Sequence, residues 1–179
     1  MITSRRSTEE EIKLIKNYID KLFGKNVAEK IIQNKNVIVA KGQWAEIFLV
    51  SHELFEVFER IHDKKKPYFL GLFLGELRNK RFKLSLEAVF EIANFTSHKI
   101  QLTMKGAQKL LYGRDISFSA IDKTWYDARK GDYAILLDEN GFPIGLGKIL
   151  HDFATMQKKS SKICIKNIID RGWYLRKGQ

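Results

Sequence analysis

The apolar positions of this chain change period near residue 96. Upstream they recur mostly at helical spacing; downstream they alternate in short runs separated by glycine. Ser7-Thr-Glu-Glu10 matches a capping box, and Ile12, Ile15, Ile19, Leu22 and Phe23 follow at helical spacing until Gly24, so the pattern predicts a helix there. A short helical piece is expected over 27–33. Val37-Ile-Val-Ala40 and Glu46-Ile-Phe-Leu-Val50 read as two strands joined through Gly42. Ser51 can cap a second helix with Leu54, Phe55, Phe58 and Ile61 inward. Asp63-Lys-Lys-Lys-Pro67 ends it, because proline lacks the amide that a helix needs and adjacent cations repel. Residues 69–77 read as a buried strand, 78–81 as a basic turn, and 84–95 as a helix with Leu86, Val89, Phe90 and Ala93 inward.

Beyond residue 96, Ile100, Leu102 and Met104 alternate as a strand. Residues 105–112 give about two turns of helix, closed by Gly113 at the left-handed cap position. Asn140-Gly141, set between two apolar runs, is the strongest hairpin signal in the chain. Gly145 and Gly147 alternate on one face of the return strand, where a missing side chain lets another backbone approach or the strand bend. Lys162 and Lys166, four apart on a further strand, are expected on the same face as Cys164. The change of period sets the expected domains at 1–95 and 96–179.

Composition adds a polyanion to the picture. Lys and Arg number 32 against 21 Asp and Glu, a net charge of +11, which favours RNA, DNA or an acidic membrane face over neutral partners; a merely lysine-rich solvated surface is the plainer alternative. The imbalance concentrates in 146–179, where eight cations face only Asp152 and Asp170. Trp173 and Tyr174 interleave with this charge. Aromatic faces stack on unpaired bases, but closing a core is the expected role of at least one of the two. The single cysteine, Cys164, rules out an intramolecular disulfide and reads as a buried structural thiol in an intracellular protein. The first residues lack the apolar core of a signal peptide. The longest apolar stretch, 68–77, falls short of the roughly 20 residues that a membrane span needs. A cytoplasmic protein with no membrane partner is expected, nucleolar if the cell has a nucleus.

Catalytic and cofactor readings find little support. Gly141-Phe-Pro-Ile-Gly-Leu-Gly-Lys-Ile149 is one residue too long for a phosphate-binding loop and has Ile149 where Ser or Thr must hold magnesium. Gly145-Leu-Gly147 lacks the third glycine of a dinucleotide fingerprint. His52, His62, His98 and His151 are not spaced as metal ligands, and no serine or aspartate has an activating context. Glu9, Glu10 and Glu11 suit the first turn of a helix, where the dipole favours negative charge. No cofactor, metal or catalytic residue is expected.

The second half resembles a PUA domain in Lys105-Gly-Ala-Gln-Lys-Leu-Leu-Tyr-Gly-Arg-Asp-Ile116, the Gly131-Asp132 step and the Gly145-Leu-Gly147 strand. Phe69-Leu-Gly-Leu-Phe-Leu-Gly-Glu-Leu-Arg78 followed by Lys80-Arg-Phe-Lys-Leu-Ser-Leu-Glu87 is similar to the N-terminal domain of the small ribosome-biogenesis factors of the Nip-seven type. The resemblance covers nearly the whole chain. It implies an α+β fold: an N-terminal α/β domain with an antiparallel sheet and flanking helices, then a PUA-type β-barrel. It also implies a non-enzymatic RNA-binding factor in pre-rRNA processing and large-subunit biogenesis, with ribosome-assembly or RNA-processing proteins as partners. In the archaeal branch the RNA-binding surface is a basic cluster near the C-terminus. Lys166 falls at a basic position, Lys162 fits an upstream one, and Ile169 stands where a lysine is expected, with Arg171 in its place. Eukaryotic members are less basic there, so the archaeal branch is indicated. The PUA resemblance adds Lys105, Lys109 and Arg114 beside Gly113. With Lys158, Lys159 and Arg176 these complete the expected RNA-binding set. The competing readings are an accessory or specificity module for an RNA-modifying or RNA-degrading enzyme, and a small RNA-acting enzyme with its site in 1–95.

Overall fold

The computed structural model of the chain describes residues 3–41, 44–61, 70–79, 81–156 and 161–177. They form two compact units: Met1–Lys21 with Lys25–Glu91, and Leu22–Gly24 with Ile92–Gln179. The fold is α+β, with one sheet in each unit.

The first unit holds β1 (Thr3–Arg6), α1 (Glu9–Phe23), α2 (Val27–Ile32), β2 (Lys35–Lys41), β3 (Ala45–Ser51), α3 (His52–Ile61), β4 (Leu72–Arg78) and β5 (Arg81–Leu84), and α4 (Leu86–Ile92) follows. The five strands lie in chain order, each antiparallel to its neighbour. On one sheet face Ile38, Ala40, Phe48 and Val50 receive Phe55 and Phe58 of α3. Val37, Val39, Ile47 and Leu49 alternate with them and are buried as well. Both faces are therefore covered, which is why β2 and β3 read as unbroken apolar runs. The other flank includes α1, whose Tyr18 meets Phe82 of β5 edge to face at 5.5 Å.

Several local expectations shift. The capping box sits one residue later than the sequence suggested. The Glu11 amide donates to Thr8 Oγ1 (3.3 Å) and the Thr8 amide to the Glu11 carboxylate (2.9 Å). Arg5 of β1 grips the same carboxylate with both guanidinium nitrogens, at 2.7 and 2.9 Å, and so selects Glu11 over Glu10. Ser51 caps α3 by accepting from the Leu54 amide (3.2 Å), but Leu54 and Ile61 are exposed, because Phe55 and Phe58 alone fill the space under the helix. Phe69 and Lys80 lie outside the described residues. In β4, Leu74 is buried while Leu72, Phe73 and Leu77 are half-buried; pairing skips Leu74 between Ile47–Gly75 and Phe48–Phe73, and this bulge breaks the regular alternation. In α4, Phe90 is half-buried, and Ala88 and Ile92 join Leu86 and Val89 inward.

The second unit holds β6 (Lys99–Leu102), α5 (Met104–Leu111), β7 (Ile116–Ser117), a 3-10 turn (Phe118–Ala120), β8 (Ile121–Thr124), β9 (Tyr133–Leu137), β10 (Pro143–Ile149), a second 3-10 turn (Phe153–Thr155), β11 (Ile163–Asp170) and α6 (Gly172–Lys177). Its strands lie in the order β7-β11-β10-β9-β6-β8. Laid flat, six strands would hold the two edges about 24 Å apart. Only Phe118–Ala120 separates edge strand β7 from edge strand β8, a link spanning at most about 14 Å. The sheet must curl into a barrel-like shell, closed around Ile100, Leu102, Leu110, Ile116, Leu136 and Ile165.

Glycine placement fits that curl. A Cβ on Gly145 would stand 2.7 Å from the Ile169 carbonyl oxygen, and β10 pairs irregularly beside it. The 140–141 hairpin forms through a wider loop than two residues, with Asp138 Oδ1 accepting from the amides of Asn140 (2.9 Å) and Phe142 (2.8 Å). Met104 does not extend β6; it opens α5 and is exposed. Cys164 is fully buried, donates to the Ile116 carbonyl at 3.6 Å, and has its thiol pushed up to about 12 by burial.

Arg5, through its hydrogen bonds, holds the Glu11 carboxyl below the usual carboxylate range. The stabilisation is present at neutral pH and is lost as pH falls through that lowered value. Glu11→Gln should cost about 1 kcal/mol at pH 7 by denaturant unfolding, the worth of a cap with a partly exposed ion pair. The difference should vanish in acid. A deficit that persists unchanged at pH 2 would assign the effect to packing.

Candidate nucleic-acid interface

The face expected to carry charge is built around the C-terminal end of α5. Thr103 starts that helix, accepting from the Gly106 amide (3.2 Å), and Gly106, Ala107 and Leu110 turn inward. Lys105 and Lys109 are thereby exposed one turn apart on the outer face, with Tyr112 in line beyond them and 75 % exposed. The helix ends in a Schellman motif: the Gly113 amide donates to the Leu110 carbonyl (2.7 Å) and the Arg114 amide to the Lys109 carbonyl (3.0 Å). Gly113 has φ +79°, as the motif requires, and Arg114 emerges exposed just beyond it.

The last carbonyls of α5 are also held from the C-terminus. Arg176 of α6 donates to the Leu111 carbonyl and forms a two-pronged pair with Asp170 at 3.0 and 2.9 Å. Asp170 is 2 % exposed. It also accepts from Asn167 Nδ2 (2.8 Å), whose other hydrogen reaches the Leu110 carbonyl (3.2 Å). Gly172 is needed at the contact, since a Cβ there would lie 1.9 Å from the Leu111 carbonyl oxygen. Arg176 is thus placed as a clamp between β11, α5 and α6, its charge compensated by Asp170.

β11 carries two irregularities that decide which side chains face out. Its pairing with β7 skips Cys164, and its pairing with β10 skips Ile168. Cys164 is therefore interior while Lys166 is exposed, and the two do not share a face as regular alternation would have it. Lys162 is exposed just before the strand. Lys166 stands directly opposite Lys148 of β10, and Lys148 directly opposite Tyr133 of β9, with its ammonium 5.7 Å from the tyrosine ring. Like charges facing across a ladder repel. Among the described residues neither lysine has a carboxylate within ion-pairing distance. Arg171 is exposed in the turn before α6, its amide held by the Ile144 carbonyl (2.9 Å).

The Asn167 amide donates to Asp115 Oδ1 (2.8 Å), which brings the α5 turn with Arg114 beside Lys166. Lys162 stays close through its carbonyl, which accepts from the Phe118 amide (3.1 Å). Lys158 and Lys159 lie outside the described residues. Trp173 and Tyr174 meet edge to face at 5.2 Å and are 41 and 55 % exposed, so neither closes the core.

Comparison with known proteins places this architecture. A family model described as the UPF0113 PUA domain matches residues 98–179, and one described as the NIP7/UPF0113 pre-PUA domain matches residues 4–86. The chain belongs to the NIP7/UPF0113 family. Relatives include a UPF0113 protein of Archaeoglobus fulgidus, 26 % identical over 96 % of this chain and 94 % of that one. Another is the 60S ribosome subunit biogenesis protein NIP7 homolog of Dictyostelium discoideum, 24 % identical over 96 % of this chain and 97 % of that one. Among solved structures, a PUA-domain protein of Aeropyrum pernix matches with a TM-score of 0.64 at 12 % identity, covering 99 % of this chain and 92 % of that one. A hypothetical protein of Pyrococcus horikoshii matches with a TM-score of 0.63 at 14 % identity, covering 97 % of this chain and 99 % of that one.

Within the PUA half of this NIP7/UPF0113 chain, the RNA-binding set expected from the sequence left out three members of the charged face: Tyr112, Tyr133 and Lys148, the last counted only among the cations of 146–179. Tyr112 was signalled by its position seven residues after Lys105 on one helical stripe. Tyr133 and Lys148 become neighbours only through the β9–β10 register, which the sequence does not print.

The clamp makes a direct expectation. Arg176→Met leaves the Asp170 carboxylate buried without its cation. A third of the Arg176 side chain meets solvent, which screens the pair, so the loss should be about 2 kcal/mol in denaturant unfolding. Asp170→Asn combined with Arg176→Met should recover part of it. Single and double variants as stable as the parent would remove the clamp from the account.

Proposed function

We propose that this protein is a non-enzymatic RNA-binding factor acting in pre-rRNA processing and assembly of the large ribosomal subunit. Residues 96–179 hold the RNA and residues 1–95 hold protein partners. The observation that carries the reading is the uncompensated Lys148–Lys166 pair beside Tyr133, continuous through Arg114 with Lys105 and Lys109 of α5. Fixing like charges opposite one another costs stability unless a polyanion relieves it. Lys162 and Arg171 extend the same face, and Lys158 and Lys159 precede Lys162 in the chain. Arg176 supports it by position, as the clamp on α6. Relatives described as 60S ribosome subunit biogenesis proteins favour ribosomal RNA over other polyanions.

The test is fluorescence anisotropy with a short uridine-rich single strand at 50 and 200 mM salt. If about four cations meet phosphates, the log–log salt slope should be near −2.8, a roughly fifty-fold loss across that range. Changing Lys148, Lys162, Lys166 and Arg171 together to alanine should abolish binding in a protein that still melts cooperatively; Arg176 is left intact because it holds the fold. Equal binding by both proteins would move the RNA site elsewhere. Co-sedimentation with large-subunit precursors would separate this reading from an accessory module, which would travel with a modifying or degrading enzyme.

A further inference from the structure

We propose that Trp125, together with Lys99 and Lys123, forms a second RNA contact: a stacking platform for one unpaired base, with two ammonium groups for the phosphates beside it. This rests on the RNA-binding reading above and adds a site outside the basic C-terminal face.

The platform is fixed by the sheet. Gln101 pairs with Lys123 and Ile100 with Thr124 across β6 and β8, and the Trp125 amide donates to the Lys99 carbonyl (3.2 Å). The indole is therefore tied to the ladder at its backbone. It is 40 % exposed and takes no part in the core of this unit. Lys123 Nζ lies 4.7 Å and Lys99 Nζ 5.7 Å from the ring centroid. Two cations thus converge on one aromatic ring. An exposed cation–π contact is worth about 0.5–1 kcal/mol and neutralises nothing. Among the described residues neither lysine makes an ion pair. Gln101, the polar neighbour, already spends its amide on the Glu139 carbonyl (2.8 Å).

The chemistry selects the occupant. A phosphodiester flanking a splayed base supplies both what the ring accepts, a π face, and what the lysines accept, negative charge. An acidic peptide would satisfy the lysines and leave the indole idle. A duplex would offer charge with no free base face. The location agrees. Lys99 pairs with Ile135 in β9, two residues from Tyr133, so Lys99 and Tyr133 leave the sheet on the same side. Tyr133 lies in the row with Lys148 and Lys166. In the strand order β10-β9-β6-β8 the platform is two spacings, about 10 Å, beyond that row. Ile135, between Tyr133 and Lys99 on that side, is fully buried, so a single strand must pass around it to reach Trp125.

The experiment uses the full chain with Trp44→Phe and Trp173→Phe, which leaves Trp125 as the sole tryptophan. The uridine-rich strand is titrated while indole emission and RNA anisotropy are recorded together. RNA should quench Trp125. Trp125→Ala, introduced in the natural chain, should weaken binding roughly five- to hundredfold, the range seen for losing one stacked base, with unchanged melting. Trp125→Phe should retain most of the affinity. Lys99→Ala with Lys123→Ala should make the salt slope shallower by about 1.4. If RNA binds and is lost in the C-terminal four-alanine variant, yet emission is unmoved and Trp125→Ala binds at full strength, the platform is overturned and the RNA-binding reading stands. If the natural chain binds no RNA, both are overturned.

Discussion

Asp170 is a buried acid in a chain of net charge +11, and three polar contacts converge on it: two guanidinium nitrogens of Arg176 and the Asn167 amide. Each of those partners also reaches a carbonyl at the end of α5. The carboxylate therefore joins three elements, β11, α5 and α6, that hydrophobic contact alone would leave free to slide. Removing it would strand the last carbonyls of α5 and the guanidinium together, so a single acidic side chain helps fix this corner. Lys109, Tyr112 and Arg114 take their positions from that corner.

The surrounding cations are arranged at some electrostatic cost. Lys148 faces Lys166 across a ladder, Lys105 and Lys109 stack one turn apart on a helix, and Lys99 and Lys123 share an indole. Some cations of the first unit are paired: Arg5 with Glu11, Lys35 with Glu91, Arg78 with Glu76. Some acids in the second unit are turned to internal use, as Asp115 is on the Asn167 backbone amide and Asp138 on its hairpin loop. What stays outward is mostly positive, the condition for attracting a polyanion before any specific contact forms.

Much of the fold was legible because it rests on local chemistry. The α5 helix, the Gly113 turn, the hairpin at 140–141 and the continuous apolar strands β2 and β3 each follow from a few adjacent residues. The resemblance to Nip-seven-type factors likewise rested on short runs of residues. The illegible part is non-local. The capping box moved to Glu11 because Arg5, on a different element, competes for the carboxylate. The half-buried tyrosine beside Lys148 takes that place only once β9 and β10 are in register. Arg176 looked like one more surface cation, and nothing near it in sequence reveals that Asp170 will be buried.

The two bulges of β11 show most clearly how the face depends on parity. In a regular strand Cys164 and Lys166 would point the same way, and so would Lys166 and Asp170. The chain needs the thiol inside, the lysine outside and the carboxylate inside. The skipped pairing at Cys164 inverts the alternation once, which turns Lys166 toward Lys148. The skipped pairing at Ile168 inverts it again, which puts Asn167 and Asp170 on the inner side, three residues apart and within hydrogen-bond reach. A strand without the first bulge would drive a lysine into the apolar core. A strand without the second would leave Arg176 without its partner. The irregular pairing, more than the residue types, allows one eight-residue strand to build both the charged surface and the clamp beneath it.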